Sequence, residues 1–228
     1  MAIISEPLII VFGGINMDLV TLTENFPETG ETVIGTKFLQ YAGGKGANQA
    51  VAAARMGAIV RMVGKVGDDD FGGQLLALLN SSGVNIDGIA IESDTSSGLA
   101  IIEIDRSSQN RIIQIPGAND TCDHCQVSEV SKDLSGASIL MLQLEVNPTL
   151  SLEAARMARA QGKTVILDPG PVRTIPRELF LHSSVITPNE TEAQAIVGFP
   201  ITNRSDAIEA SNKLLLMGPD SVVMKLGA

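Results

Sequence analysis

The segment Tyr41-Ala42-Gly43-Gly44-Lys45-Gly46-Ala47-Asn48 places three glycines and one lysine directly ahead of an alanine-rich stretch. Glycines let a backbone approach a ligand closely, and the first N–H groups of a helix point at whatever lies before them. The loop is not a mononucleotide P-loop, which needs Gly where Leu39 stands and Ser or Thr where Gly46 stands. It is not a dinucleotide fingerprint either, because Gln49 occupies the place of the third glycine. A ligand loop and a tight structural turn are its two readings.

Further chemistry-bearing residues sit just past apolar runs. In Gly13-Gly14-Ile15-Asn16-Met17-Asp18, residues 16 and 18 point the same way in extended chain. An amide plus a carboxylate can donate to and accept from vicinal hydroxyls, as a sugar demands; a turn capped by Asx side chains explains the same residues. Glu145, after Leu144, reads as a hydroxyl ligand or as a carboxylate favoured near a helix N-terminus. Asp168, in Leu167-Asp168-Pro169-Gly170-Pro171, is positioned to face a metal–phosphate cluster. Asn189 and Glu192 have the spacing of an N-cap with an acidic N3 residue. The functional alternative is a Mg²⁺ site acting through water, since hard cations prefer oxygen ligands and keep much of their hydration.

Other chemistries fit poorly. Cys122-Asp123-His124-Cys125 has no second ligand pair for a structural zinc, His182 being the only other histidine, and reads as ordinary thiols near a helix start. Two scattered histidines offer no Ser-His-Asp or Cys-His arrangement, so covalent hydrolytic catalysis is excluded as a working reading.

The elements that must position these residues alternate along the chain. Strands are expected at 8–12, 59–66, 138–144, 164–167, 185–187 and 221–226, and helices at 44–56, 71–79, 148–160 and 205–216. Gly57 and Gly162 stand as stops, and Pro148 near a helix start. Such repetition predicts an α/β fold: a doubly wound, mostly parallel sheet with helices on both faces. Residues 32–40 and the pair 98–104 and 111–115 break the rhythm, being β segments without crossover helices. They suit a small sheet, with a lid over a cleft and a dimer surface as its two roles. Because the last expected strand is followed only by Gly227 and Ala228, the sequence reads as one domain, 1–228, incomplete at its C-terminus, with lid strands within about 15–42 and 97–116. An exposed apolar sheet edge and a marginal, aggregation-prone chain are expected in consequence.

Composition narrows the partners. Sixteen Lys and Arg against 26 Asp and Glu give a net charge of −10, which repels phosphate backbones and argues against a nucleic-acid partner. Aromatics make up 3% of the chain, with no Trp, so base-stacking surfaces are not expected either. Two cysteines make no disulfide framework, no apolar stretch reaches membrane-spanning length, and nothing basic precedes Leu8 as in a signal peptide. A cytoplasmic protein with no membrane partner is the expectation.

Taken together, these segments resemble the ribokinase-like family of sugar kinases. The resemblance rests on Gly14–Asp18, on Phe26-Pro27-Glu28-Thr29-Gly30-Glu31-Thr32 and above all on Gly43-Gly44-Lys45-Gly46-Ala47-Asn48 with the alanines after it. It continues through Gly67-Asp68-Asp69-Asp70-Phe71-Gly72, Pro116-Gly117-Ala118-Asn119, Met141–Glu145 and Thr187–Glu192. What it implies is ATP-dependent phosphorylation of D-ribose at O5. Asn16 and Asp18 would hold ribose hydroxyls, Gly44, Lys45 and Asn48 would complete the pocket, and Glu145 would bind from the opposite side. Asn189 would contact nucleotide phosphates, and Lys225, Leu226 and Gly227 would begin the loop beside the nucleotide. Glu192, with Asp168 nearby, would order Mg²⁺ through water. The lid strands would pair two subunits into a homodimer. The family's Gly-Ala-Gly-Asp-type motif, whose Asp is the general base, does not occur, so the base is expected beyond Ala228, along with the K⁺ site and most of the adenine pocket. Two alternatives stand beside this reading: a catalytically inactive sugar-binding or dimerising remnant, and a kinase for another sugar or a nucleoside.

Overall fold

A computed structural model of the chain describes residues 7–227. The reading that nothing ahead of Leu8 acts as a signal peptide falls largely on residues outside that range. Strand β1 (Leu8–Phe12) is wholly apolar, as a strand covered on both faces must be, and it lies in the middle of a seven-stranded parallel sheet. With β4 (Ile59–Gly67), β5 (Val84–Glu92), β8 (Ile139–Leu142), β9 (Thr164–Leu167), β10 (Val185–Ile186) and β11 (Ser221–Val222), the order is β11-β10-β9-β8-β1-β4-β5. The chain runs from β1 to β4 on one side and later returns to β8 on the other. The carboxyl ends of β1, β4 and β8 therefore flank the place where the winding reverses and a crevice opens.

Helices cover both faces. On one, α1 (Lys45–Arg55) and α2 (Asp70–Ser81) pack Ala47, Ala50, Leu75 and Leu79 onto Ile9, Val11, Val60 and Met62. On the other, α3 (His124–Asp133), α4 (Pro148–Ala160), α5 (Arg177–Leu181), α6 (Glu190–Val197) and α7 (Arg204–Leu215) enclose Ile10, Phe12, Leu140, Leu142, Val165, Leu167 and Ile186. Among the described residues no helix is long and apolar enough to cross a membrane.

A second, four-stranded sheet projects from the first. It contains β2 (Asn16–Leu22), β3 (Lys37–Gly43), β6 (Gly98–Ile104) and β7 (Asn110–Ile115) in the order β3-β2-β6-β7. Sheet β2–β6 is parallel, and both outer pairs are antiparallel. Asp69 fastens this sheet to the larger one: its carboxylate caps α2 at Gly72 and accepts from the Ser97 N–H and hydroxyl, just before β6.

Several elements differ from the sequence reading. The strand expected over 32–40 begins only at Lys37 and runs to Gly43, because Gly43 pairs with Asn16 and delivers the chain to α1. Strand β5 had no sequence signal: Asp87-Gly88 interrupts its alternation, and its register against β4 shifts between Arg61 and Val63. The strand expected over 221–226 pairs only through Ser221–Val222, with one further bridge at Asn189–Lys225. Pro188 ends the neighbouring strand, since a proline has no N–H to return to the ladder.

Candidate functional site

Two polar clusters meet at the carboxyl ends of the parallel strands, and Lys45 belongs to both. The first is built from backbone contact. Gly44, at φ 90°, begins α1, and a Cβ there would lie 2.7 Å from the Gly14 carbonyl oxygen and 2.8 Å from the Asn16 nitrogen. The glycine loop is thereby pressed onto the end of β1, and the first N–H of α1, that of Lys45, donates to Glu145 Oε2 at 2.6 Å. Asn16 Nδ2 and Gln114 Nε2 donate to the other oxygen, Oε1, at 3.0 and 2.9 Å. Asn119 fixes which way Asn16 faces: its Nδ2 donates to Asn16 Oδ1 at 2.8 Å, and its Oδ1 accepts from the Ile15 N–H at 2.9 Å. Because Asn119 holds the amide oxygen of Asn16, the amide nitrogen is left to face Glu145.

Burial sets the electrostatics of this cluster. Glu145 is 6% exposed, and removal from water pushes its carboxyl up from the ordinary range against the pull of the Lys45 N–H and the two side-chain amides. Asp18, half-exposed on β2, is likewise pushed up by burial. A Cβ on Gly43 would sit 2.3 Å from Asp18 Oδ2, so the glycine makes room for that carboxylate.

The second cluster alternates cations and carboxylates. Lys45 Nζ donates to Asp168 Oδ1 and Glu192 Oε1, each at 2.9 Å. Lys225 Nζ donates to Asp168 Oδ2 at 2.6 Å and lies 3.7 Å from Glu192 Oε2. Both carboxylates are nearly buried, at 7% and 5% exposure, and the two ammonium groups compensate them. Burial works against the charge of Lys45, but Asp168 and Glu192 outweigh it and hold that ammonium above the ordinary lysine value. Asn189 adjoins through a complete capping box: its Oδ1 accepts from the Glu192 N–H at 2.8 Å, and Glu192 Oε2 accepts from the Asn189 N–H at 2.9 Å. Gly227 N–H donates to Glu190 Oε1 at 2.7 Å, bringing the last described residues beside α6.

Asn16, Gly44, Lys45 and Glu145 are thus gathered in one place, with Asp18 at its edge, and Asp168, Glu192, Asn189 and Lys225 in an adjoining one. Asn48 stands apart: its side chain is exposed on the first turn of α1 and lines a groove with Tyr41 and Arg55. Leu226 is exposed too, 53% of it, beside Gly227. The ammonium of Lys45 goes to the acidic pair, and it is the backbone N–H that reaches Glu145 in the first cluster. Sequence reasoning gave no role to Gln114 or Asn119. For Asn119 the segment Pro116–Asn119 was the available signal, whereas Gln114 had none beyond being a polar residue in an isoleucine run.

The residues offer oxygen donors for a hard cation, but each carboxylate oxygen of Asp168 and Glu192 already accepts from a lysine or a backbone N–H. Such a set fits an ion held through water and phosphate oxygens rather than one bound directly. No group of three or more His, Cys, Asp or Glu positioned to hold a metal occurs among the described residues. Cys122 is buried in the core, which pushes its thiol up to about 12, and Cys125 is exposed after the α3 cap at Asp123.

Residues 6–228 match the pfkB family carbohydrate kinase profile. Over 221 residues the chain is 35% identical to the ribokinase of Mus musculus, covering 96% of this chain and 68% of that protein. It is 34% identical over 220 residues to the deoxyribokinase of Salmonella typhimurium, covering 96% and 72%. The structure of Arabidopsis thaliana ribokinase complexed with ribose and ATP superposes with a TM-score of 0.84 at 31% identity, covering 97% of this chain and 72% of that one.

Proposed function

The chain belongs to the pfkB family of carbohydrate kinases and is a sugar kinase, a phosphotransferase; from that premise we propose that its substrate is D-ribose, phosphorylated at O5 by ATP to give ribose 5-phosphate. The observation that carries this reading is the pairing of the two clusters across Lys45. One offers amide and carboxylate groups to a polyhydroxylated ring. The other offers two ammonium groups to phosphates, at the carboxyl ends of β9, β10 and β11.

The division of labour follows from the chemistry. Phosphoryl transfer asks chiefly for in-line positioning and neutralisation of charge on the transferred group. In this reading Asn16, Asp18 and Glu145 orient the ring so that one primary hydroxyl faces the second cluster, with Gly44 and Asn48 completing the pocket. Lys45 and Lys225 exchange carboxylate partners for phosphate oxygens, and Asn189 and Gly227 flank the nucleotide. Asp168 and Glu192, freed in part from the lysines, would be the residues that hold Mg²⁺, and the ion would supply charge neutralisation on the phosphates. In this reading none of Glu145, Asp168 and Glu192 is the group that takes the hydroxyl proton. In its support, Glu145 is held by three donors, the Lys45 N–H and the Asn16 and Gln114 amides, and would have to leave them to reach a hydroxyl proton. The small sheet serves as a lid and pairs two subunits in the cytoplasmic homodimer, consistent with exposed Ile34, Phe38, Ile112 and Ile113 on its strands and loops.

A second reading, a chain that binds sugar without turning it over, is favoured by the same engagement of every buried carboxylate. Identities of 35% to a ribokinase and 34% to a deoxyribokinase also leave ribose and deoxyribose side by side. The deciding experiment measures D-ribose binding by calorimetry and ADP release with ATP, Mg²⁺ and K⁺, against a no-ribose control. Ribose binding without turnover is expected of these 228 residues. Ribose-dependent ADP release would place the base within them, and failure to bind ribose would end the ribose reading.

A further inference from the structure

Strand β7 is one of the two outer strands of the small sheet, and its Ile112, Ile113 and Ile115 are 56%, 64% and 38% exposed. Gln114 interrupts this apolar run and is less exposed than either neighbour. It turns inward, across the gap between the two sheets, to reach Glu145 just beyond β8. A polar side chain in an outer strand needs no protein partner to be satisfied, because water reaches it. That this one meets a buried carboxylate points to the cleft as the place where it acts.

The register of the sheet fixes what lies beside it. Gln114 pairs with Ala100 on β6, and Ala100 pairs with Asp18 on β2. Register partners share a face, so Asp18, Ala100 and Gln114 form one row across the floor of the cleft. Adjacent strands are about 4.8 Å apart, which sets the backbones of Asp18 and Gln114 about 10 Å apart with only the methyl group of Ala100 between. The next row inward is Asn16 with Gly98, where a Cβ on the glycine would lie 2.2 Å from Asn16 Oδ1. The floor is therefore kept low between two polar walls, a shape that takes a sugar ring with a hydroxyl bonded at either side.

A glutamine amide has two donor hydrogens and one acceptor oxygen. The bond to Glu145 uses one hydrogen, and Oε1 of Gln114 accepts from no described residue. We infer that Gln114 is a substrate-contacting residue that sets sugar specificity: its Oε1 accepts a hydrogen bond from a ring hydroxyl on the side away from Asp18, while Nε2 keeps its hold on Glu145. The inference rests on the cleft being the sugar pocket. A site built to hydrogen-bond a hydroxyl rejects the analogue that lacks it, because the site's own polar group is then left unpaired. An apolar side chain at the same position would accept both.

The test is calorimetric titration of the 228-residue chain and its Gln114→Met variant, which keeps side-chain length and removes the amide. The ligands are D-ribose, 2-deoxy-D-ribose and 3-deoxy-D-ribose. Wild type should prefer ribose over one of the deoxy sugars, and Gln114→Met should weaken ribose about fivefold to tenfold while changing that analogue less than twofold. An unchanged ratio in a variant that still binds ribose would overturn the role of Gln114 and leave the sugar pocket standing. Binding of no pentose by wild type would remove the pocket reading and the inference with it. Should Gln114→Met fail to fold, the side-chain amide resonances of Gln114 in wild type decide the matter. A shift on adding ribose that the preferred-against analogue does not produce supports the contact, and no shift overturns it.

Discussion

The two halves of the large sheet are built from similar apolar strands but buried differently. In the β1–β4 half, residues 9–12 and 60–67 are buried without interruption, because α1 and α2 cover one face and α3 the other. In the β8–β11 half the alternation shows through. Leu140, Leu142, Val165, Leu167 and Ile186 are buried on one face, whereas Ile139, Met141, Ile166 and Val185 are only partly covered and Val223 is 54% exposed. Asn16, at the start of β2, and Glu145, just beyond β8, stand next to the doubly covered centre. The cluster of Asp168, Glu192 and Lys225 stands at the strand ends of the singly covered half.

The sharpest way to break this contrast is a pair of core truncations. Phe12→Ala in the doubly covered half should cost about 3–5 kcal/mol, since a fully buried aromatic leaves a cavity that the covering helices cannot fill. Ile166→Ala should cost less, about 1–2 kcal/mol, because that side chain is only partly buried. Urea unfolding midpoints compare them directly, and equal losses would mean the two halves are equally packed.

Removing a cation probes the ionic cluster. Lys45→Met should lower stability by about 2 kcal/mol, less than a fully buried pair because the ammonium is partly exposed. Its pH signature has a definite sign. The folded pKa of Lys45 is raised, so its contribution is complete below the ordinary lysine value of 10.5 and is lost as pH rises through the folded value. Wild type and Lys45→Met should therefore converge in alkaline unfolding; parallel curves would show that the ion pairs contribute nothing.

In the cluster around Glu145, burial raises that carboxyl from its ordinary 4.5 and Asp18 from 3.8. Sugar affinity that depends on Glu145 as an acceptor should fall as pH drops, with a midpoint above 4.5, and affinity that depends on Asp18 with a midpoint above 3.8, read from ribose titrations across pH. A midpoint at or below 4.5 would count against Glu145 contacting the sugar in its ionised form. The smallest expected effect is on the open face. Val223→Glu should change stability by less than about 0.5 kcal/mol and reduce self-association in sedimentation, since it charges an exposed apolar strand end without touching the core.

Much of the frame was legible in the residues. The apolar run of β1, the Pro148 start and Gly162 stop of α4, and the strand pair around 105–110 all appear where local pattern places them, because each depends on neighbours a few residues away. The misses share a cause. β5 follows an irregular register against β4, and the short pairing of β11 depends on where Pro188 ends β10; neither is written in the strand's own alternation.

The site divides along the same line. By itself the sequence determined that a glycine loop would open α1, that Asn16 and Asp18 would share a face, and that Asn189 and Glu192 would cap α6, all of which follow from local backbone periodicity. Only the tertiary structure decided that the Lys45 ammonium reaches Asp168 and Glu192, 123 and 147 residues further on, while its backbone N–H reaches Glu145. It likewise decided that Asn119 orients Asn16 across 103 residues and that Gln114 spans the cleft. The physical reason is the parallel sheet: each crossover returns the chain to the same edge, so strand ends remote in sequence become neighbours, and no local pattern records which of them will meet.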